Sequence, residues 1–195
     1  GKIIKKIIIP SKLYKNDKKN LDNIINHTNN LIGNYKINKI GIGVPELINT
    51  KGIIKGNYNF NWHNKNLSDY FARKYKVIVD SDVRCHLRAE KLFGHGKNLD
   101  NFIYINIGTG LSYSHFKNKK IYSGAQGYAI HFASSKVSLY NPNKNIKLSL
   151  VPEDYYSGKS IIKILNTHKS SKKIINNIAE SLGSLIGNLI NTVDP

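Results

Sequence analysis

Apolar residues in this chain come in short runs cut by glycine, proline or lysine, and these runs alternate with stretches of helical period. Residues 2–9 (KIIKKIII) are an apolar run with lysine breaks, which predicts a strand ended by Pro10. Between Asn20 and Gly33, the residues Leu21, Ile24, Ile25, Leu31 and Ile32 fall mainly on one helical face, with Gly33 where a C-cap glycine belongs. Residues 39–44 (KIGIGV) predict a buried strand stopped by Pro45. A turn at 49–51 leads into a short strand piece at 52–56 (GIIKG). Residues 57–66 (NYNFNWHNKN) are polar and aromatic without a period and predict a loop, and 67–75 a short helix started near Ser68 or Asp69.

The second half repeats the alternation. Residues 76–79 predict a strand, and Asp82 a helix start, with Gly94 or Gly96 at that helix's end. Strands are predicted at 102–107, 111–116 and 121–123, the last two joined by a hairpin turn of lysine and asparagine at 117–120. Residues 133–151 have no helical period and carry Pro142, so they predict loop with short strands. A helix follows at 160–165. The last helix is the clearest: Ile174, Ile178, Leu182, Leu185, Leu189 and Val193 line one face, flanked by Ile175, Ala179, Ile186 and Ile190. Such a wide stripe predicts burial against a sheet or helix, and Gly183 and Gly187 permit a close backbone approach. Alternating strands and helices predict an α/β fold in two parts, residues 1–98 and 99–195.

Composition narrows the function classes. The net charge is +18, yet only Arg73, Arg84 and Arg88 are arginines. The excess is lysine dispersed along the whole chain, as a solvated surface has it, rather than arginine and lysine interleaved with aromatics on one face. No nucleic-acid partner is expected on that ground. Cys85 is the single cysteine, which excludes an intrachain disulfide and a cysteine-rich zinc site, and a lone helical cysteine is commonly a small core residue. No run of 18 apolar residues and no signal peptide is present, so no membrane association and a cytoplasmic location are expected.

Two strand ends carry the chemistry. The stretch VIVDSD ends one strand on acids, and IYINIGTG ends the next on a glycine turn of phosphate-binding type. In the order GIGVP, a loop ending at Trp62, VIVDSD, AEKLFGHG, FIYINIGTG and YSGAQG, the chain resembles the ROK family of sugar kinases and sugar-responsive repressors. The resemblance covers most of the chain. It implies the two-domain ribonuclease-H-like fold of actin and hexokinase, incomplete here at both termini. It also implies a sugar substrate, magnesium-ATP as phosphoryl donor, and a homodimer.

On that resemblance, Asp82 is the base that takes the proton of a sugar hydroxyl, although as a residue it equally suits a helix N-cap. Ser81 stands where the family has asparagine, a shorter group with one hydroxyl for the sugar side. Gly108, Thr109 and Gly110 match the phosphate-contacting turn. The family's Gly-Glu-x-Gly-His segment is replaced by YAIHFASS, which leaves His131 as the histidine candidate for the sugar and no glutamate. The family's cysteine-rich zinc loop has no counterpart at 136–150, so no zinc is expected. The pattern returns at PEDYYSG, where Glu153 would accept sugar hydroxyl hydrogen bonds, with a surface acid in a helix first turn as the alternative. The family's opening Asp-x-Gly-Gly-Thr hairpin and closing glycine pair have no match, so a fragment or a degenerate copy is expected. A non-catalytic sugar-binding regulator on the same scaffold is the competing expectation.

Overall fold

A computed structural model describes residues 2–167 and 172–195. The chain divides into two compact units, Gly1–Asp82 and Val83–Pro195.

The first unit holds α1 (Asp17–Ile32), β1 (Lys39–Val44), a 3-10 turn (Leu67–Tyr70) and β2 (Lys76–Ser81). Asn16 caps α1, its side chain accepting from the N–H groups of Lys18 and Lys19, and Gly33 ends it at φ +47°, a left-handed backbone that glycine adopts at little cost. β1 and β2 pair in parallel with Val44 opposite Ser81, so the carboxyl ends of both strands lie side by side. The core joins Leu21 of α1, Val44 of β1, and Ile48, Ile54, Phe60, Trp62 and Leu67. Most of it therefore comes from the irregular connection after β1. Phe60 and Trp62 stack with ring centroids 4.1 Å apart, inside the segment that reads as a surface loop in sequence. Asn66, rather than Ser68 or Asp69, caps the 3-10 turn, and regular helix stops at Tyr70.

Residues 2–9 are not a strand. A strand needs a partner for its backbone groups, none pairs with this run among the described residues, and Ile3, Ile4 and Ile8 are more than three-quarters exposed.

The second unit begins with α2, whose full span is Asp82–Phe93 and whose first residue closes the first unit. An antiparallel sheet follows in the order β3 (Phe102–Ile107), β4 (Leu111–Lys117), β5 (Lys120–Tyr122). Asn118 and Lys119, both at positive φ, make the two-residue hairpin between β4 and β5, the turn whose twist matches that of the strands. A separate hairpin, β6 (Val137–Asn141) with β7 (Ile146–Leu150), fills the region expected to be loop with short strands. The helices α3 (Glu153–Tyr156), α4 (Gly158–Thr167) and α5 (Lys172–Val193) complete the unit.

The stripe on α5 is covered only in part. Leu189 is buried and its stripe partners are half-buried, whereas Ile175, Ala179 and Ile190 on the flank are exposed. The close approach that Gly183 and Gly187 permit is not used, since an added Cβ would meet nothing within 4 Å at either. No helix among the described residues is long and apolar enough to cross a membrane.

Candidate functional site

Each unit carries one group of candidate residues. In the first, β2 runs straight into α2, which places Ser81 at the last strand position and Asp82 at the first helical one. Asp80 Oδ1 accepts the Ser81 N–H at 2.8 Å, pinning the strand end. Ser81 is fully buried and its hydroxyl has no hydrogen-bond partner among the described residues. A buried hydroxyl left unmade costs about 1–3 kcal/mol, and such groups concentrate at functional positions. Asp82 is half-buried, and a carboxylate in the first turn of α2 sits at the positive end of the helix dipole.

The same strand ends hold a residue with no motif to announce it. Glu46, two residues beyond β1, is 3% exposed and accepts three successive main-chain N–H groups. Those of Asn59 and Phe60 reach Oε1, and that of Tyr58 reaches Oε2 at 3.0 Å. The only advance signal was an acid beside a proline in an otherwise apolar stretch.

In the second unit, the turn between β3 and β4 is closed by Gly108 N–H donating to Gly110 O at 3.0 Å. Glu153, in the first turn of α3, accepts the Leu111 N–H through Oε2 at 2.7 Å. Glu153 is half-buried and ties α3 to the glycine turn through that bond. Gly158 is required here: a Cβ would lie 2.9 Å from Gly108 O and 3.2 Å from Ile107 O, so any side chain would push α4 off the turn. His131 forms an isolated bridge with Ser112, and Glu153 lies near enough to act on it electrostatically. Burial lowers the His131 pKa from its ordinary value, and the Glu153 charge opposes that shift. The structure thus gathers Gly108, Thr109, Gly110, His131 and Glu153 at one end of β3 and β4. Asp82 and Ser81 belong to the first unit.

Gly124 and Gly127 of the GAQG turn both have positive φ, +75° and +92°, which explains glycine at those two places. Arg84, buried in α2, donates from Nη1 to Gly127 O at 2.7 Å and holds that turn.

A depression of about 510 Å³ opens beside the glycine turn, lined by Thr109, Glu153, Ser157, Lys159, Ser160 and Lys163 among others. The lining brings two lysines, five hydroxyls and the carboxylates of Glu153 and Asp154 to one place. No group of three or more His, Cys, Asp or Glu side chains placed to hold a metal occurs among the described residues.

Residues 10–138 match the ROK family. The chain is 29% identical over 180 residues to the xylose repressor of Bacillus subtilis (strain 168), covering 83% of this chain and 47% of the repressor. It is 30% identical over 121 residues to the beta-glucoside kinase of Listeria monocytogenes, covering 58% of this chain and 41% of the kinase. Among solved structures, it superposes on a ROK family glucokinase from Streptomyces griseus in complex with glucose and AMPPNP with a TM-score of 0.64. That match has 22% identity and covers 80% of this chain and 52% of the glucokinase. The chain spans about half the length of the curated relatives it matches. With motif order, strand-end geometry and a match over residues 10–138 in agreement, the chain belongs to the ROK family and has its actin/hexokinase-type α/β fold.

Proposed function

We propose that this chain serves a carbohydrate kinase activity that transfers the γ-phosphoryl group of ATP to a sugar hydroxyl. The observation that carries this reading is Asp82 at the head of α2, where β2 ends beside β1. Ligands of α/β sheets bind outside the carboxyl ends of strands, and a base must stand there to meet a substrate hydroxyl. Asp82 accepts the hydroxyl proton as the sugar oxygen forms its bond to phosphorus and the bond to the ADP oxygen breaks. Ser81, whose buried hydroxyl has no hydrogen-bond partner among the described residues, is the sugar-side candidate of the first unit, and His131 and Glu153 are those of the second. Thr109 and the Gly110 N–H hold phosphate oxygens on a turn that the Gly108 N–H closes, supported by Lys159 and Lys163. Magnesium-ATP, when bound, supplies the phosphoryl group and neutralises its charge.

A second reading, a sugar-binding regulator without catalysis, rests on the xylose repressors: that of Bacillus subtilis matches 83% of the chain at 29% identity, beside 85% at 26% for a beta-glucoside kinase of Listeria innocua. Calorimetric titration of the natural protein separates the two. The kinase reading expects both a sugar (glucose, xylose and a β-glucoside tried in turn) and a non-hydrolysable ATP analogue to bind. Sugar binding with no nucleotide binding would replace the kinase with the regulator, and binding of neither would overturn both.

A further inference from the structure

A carboxylate as buried as that of Glu46 is costly unless donors take up its oxygens. Three consecutive backbone N–H groups do so here, and charge-assisted bonds of this kind are about twice as strong as neutral ones. Asn59 adds a return bond from Nδ2 to Pro45 O at 2.7 Å. The far side of the same loop is tied to α1: Asn61 N–H donates to Asp17 Oδ2 at 2.7 Å, and Trp62 Nε1 donates to Asp17 O at 3.0 Å. Gly56 stands where a Cβ would collide with Glu46 Oε2, so the chain leaves room for this carboxylate and no more.

The anchoring seats Phe60 and Trp62 in the core, and it also fixes the side of the loop that faces solvent. Tyr58 is 72% exposed, and Asn57 and Asn61 of the same loop are exposed too. An aromatic face flanked by groups that both donate and accept hydrogen bonds is the chemistry that recognises a polyhydroxylated ring. Glu46 fixes this surface at the carboxyl end of β1, next to the end of β2 where Asp82 begins α2.

We propose that Glu46 is a positioning residue, one that holds a sugar-recognition loop at residues 57–61 in its binding geometry. This rests on the sugar-binding reading above. The role is indirect: Glu46 spends its oxygens on the backbone and acts through the side chains that the backbone carries.

The test compares wild type with Glu46→Ala, Glu46→Gln and Gly56→Ala in the whole chain. Hydrogen exchange at the amides of 58–60, emission of Trp62 (the single tryptophan) and calorimetric affinity for the sugar that wild type binds are read together. Glu46→Ala is expected to speed exchange at those three amides at least tenfold and to weaken sugar binding at least tenfold. The Gly52 amide, bonded to Asn49 O on the other side of the connection, stays as in wild type. Glu46→Gln, which keeps the shape but offers a donor on one side, falls between. Gly56→Ala reproduces the alanine effect with Glu46 intact. Unchanged exchange at 58–60 in Glu46→Ala would overturn the clasp, and faster exchange with unchanged sugar affinity would overturn the positioning role. Failure of wild type to bind any sugar would instead overturn the functional reading, while the exchange result still decides the clasp.

Discussion

Two excursions from the sheets teach opposite lessons about regular structure. The connection at 57–66 has no strand or helix, yet it buries Phe60 and Trp62 and is held from both sides by Glu46 and Asp17. The β6–β7 hairpin is regularly paired over five residues in each strand, yet Leu139, Tyr140, Ile146 and Leu148 are each more than half exposed. Its register sets Leu139 against Leu148 and Val137 against Leu150 on one face, with Ser138 and Ser149 on the other joined at 2.7 Å. Hydrogen-bonded regularity and anchoring to the core are therefore separate properties. The irregular loop contributes to stability, and the regular hairpin contributes little.

The sharpest break of that comparison is Trp62→Ala. Loss of a buried, stacked indole is expected to cost about 3–5 kcal/mol in urea denaturation of the chain. A cost below about 1 kcal/mol would show that the loop is not part of the core. Next in size is Glu153→Ala, which removes the charged acceptor of the Leu111 N–H and is expected to cost about 2 kcal/mol. A loss no larger than that of Asp154→Ala on the exposed side would return Glu153 to a surface role.

A smaller effect comes from pH. Burial, aided by Lys117, lowers the His115 pKa, and burial lowers that of His131 against the pull of Glu153. Both rings are thus held neutral by folding. The unfolded chain takes up protons first as pH falls, so stability is complete above the ordinary histidine value near 6.5 and declines below it. The urea midpoint at pH 5 is expected to lie below that at pH 7.5, with the drop reduced in His115→Asn; equal midpoints at the two pH values would contradict the assignment. Smallest of all is the hairpin: Leu139→Ser and Leu148→Ser are each expected to change stability by about 0.5 kcal/mol or less. A loss above about 2 kcal/mol in either would mean that this face is covered in solution.

Sequence pattern reached the elements whose periodicity answers to local geometry. β1 to β5, α2 and α5 stand where apolar runs and capping residues place them, and α1 starts about a turn before its predicted beginning, at Asp17 behind the Asn16 cap. It failed where the outcome depends on a distant partner. The isoleucines of 2–9 look like a strand, but no other strand offers them hydrogen bonds among the described residues. Phe60 and Trp62 look like loop aromatics, because the acid that folds the loop inward lies more than ten residues earlier and matches no motif. At the site, the glycine turn and the acidic strand end were legible because close backbone approach and helix starts restrict residue type. The attachment of Glu153 to Leu111 was not, since nothing in PEDYYSG says which backbone amide it meets.

The most direct measurement is sugar-dependent ATP turnover by the natural protein and by its Asp82→Asn variant, with sugar affinity read in parallel. If Asp82 is the base, turnover falls by about 10²–10⁴-fold while sugar affinity stays within about threefold. Turnover in the variant equal to that of wild type would contradict the assignment of Asp82 and leave it a helix-starting residue.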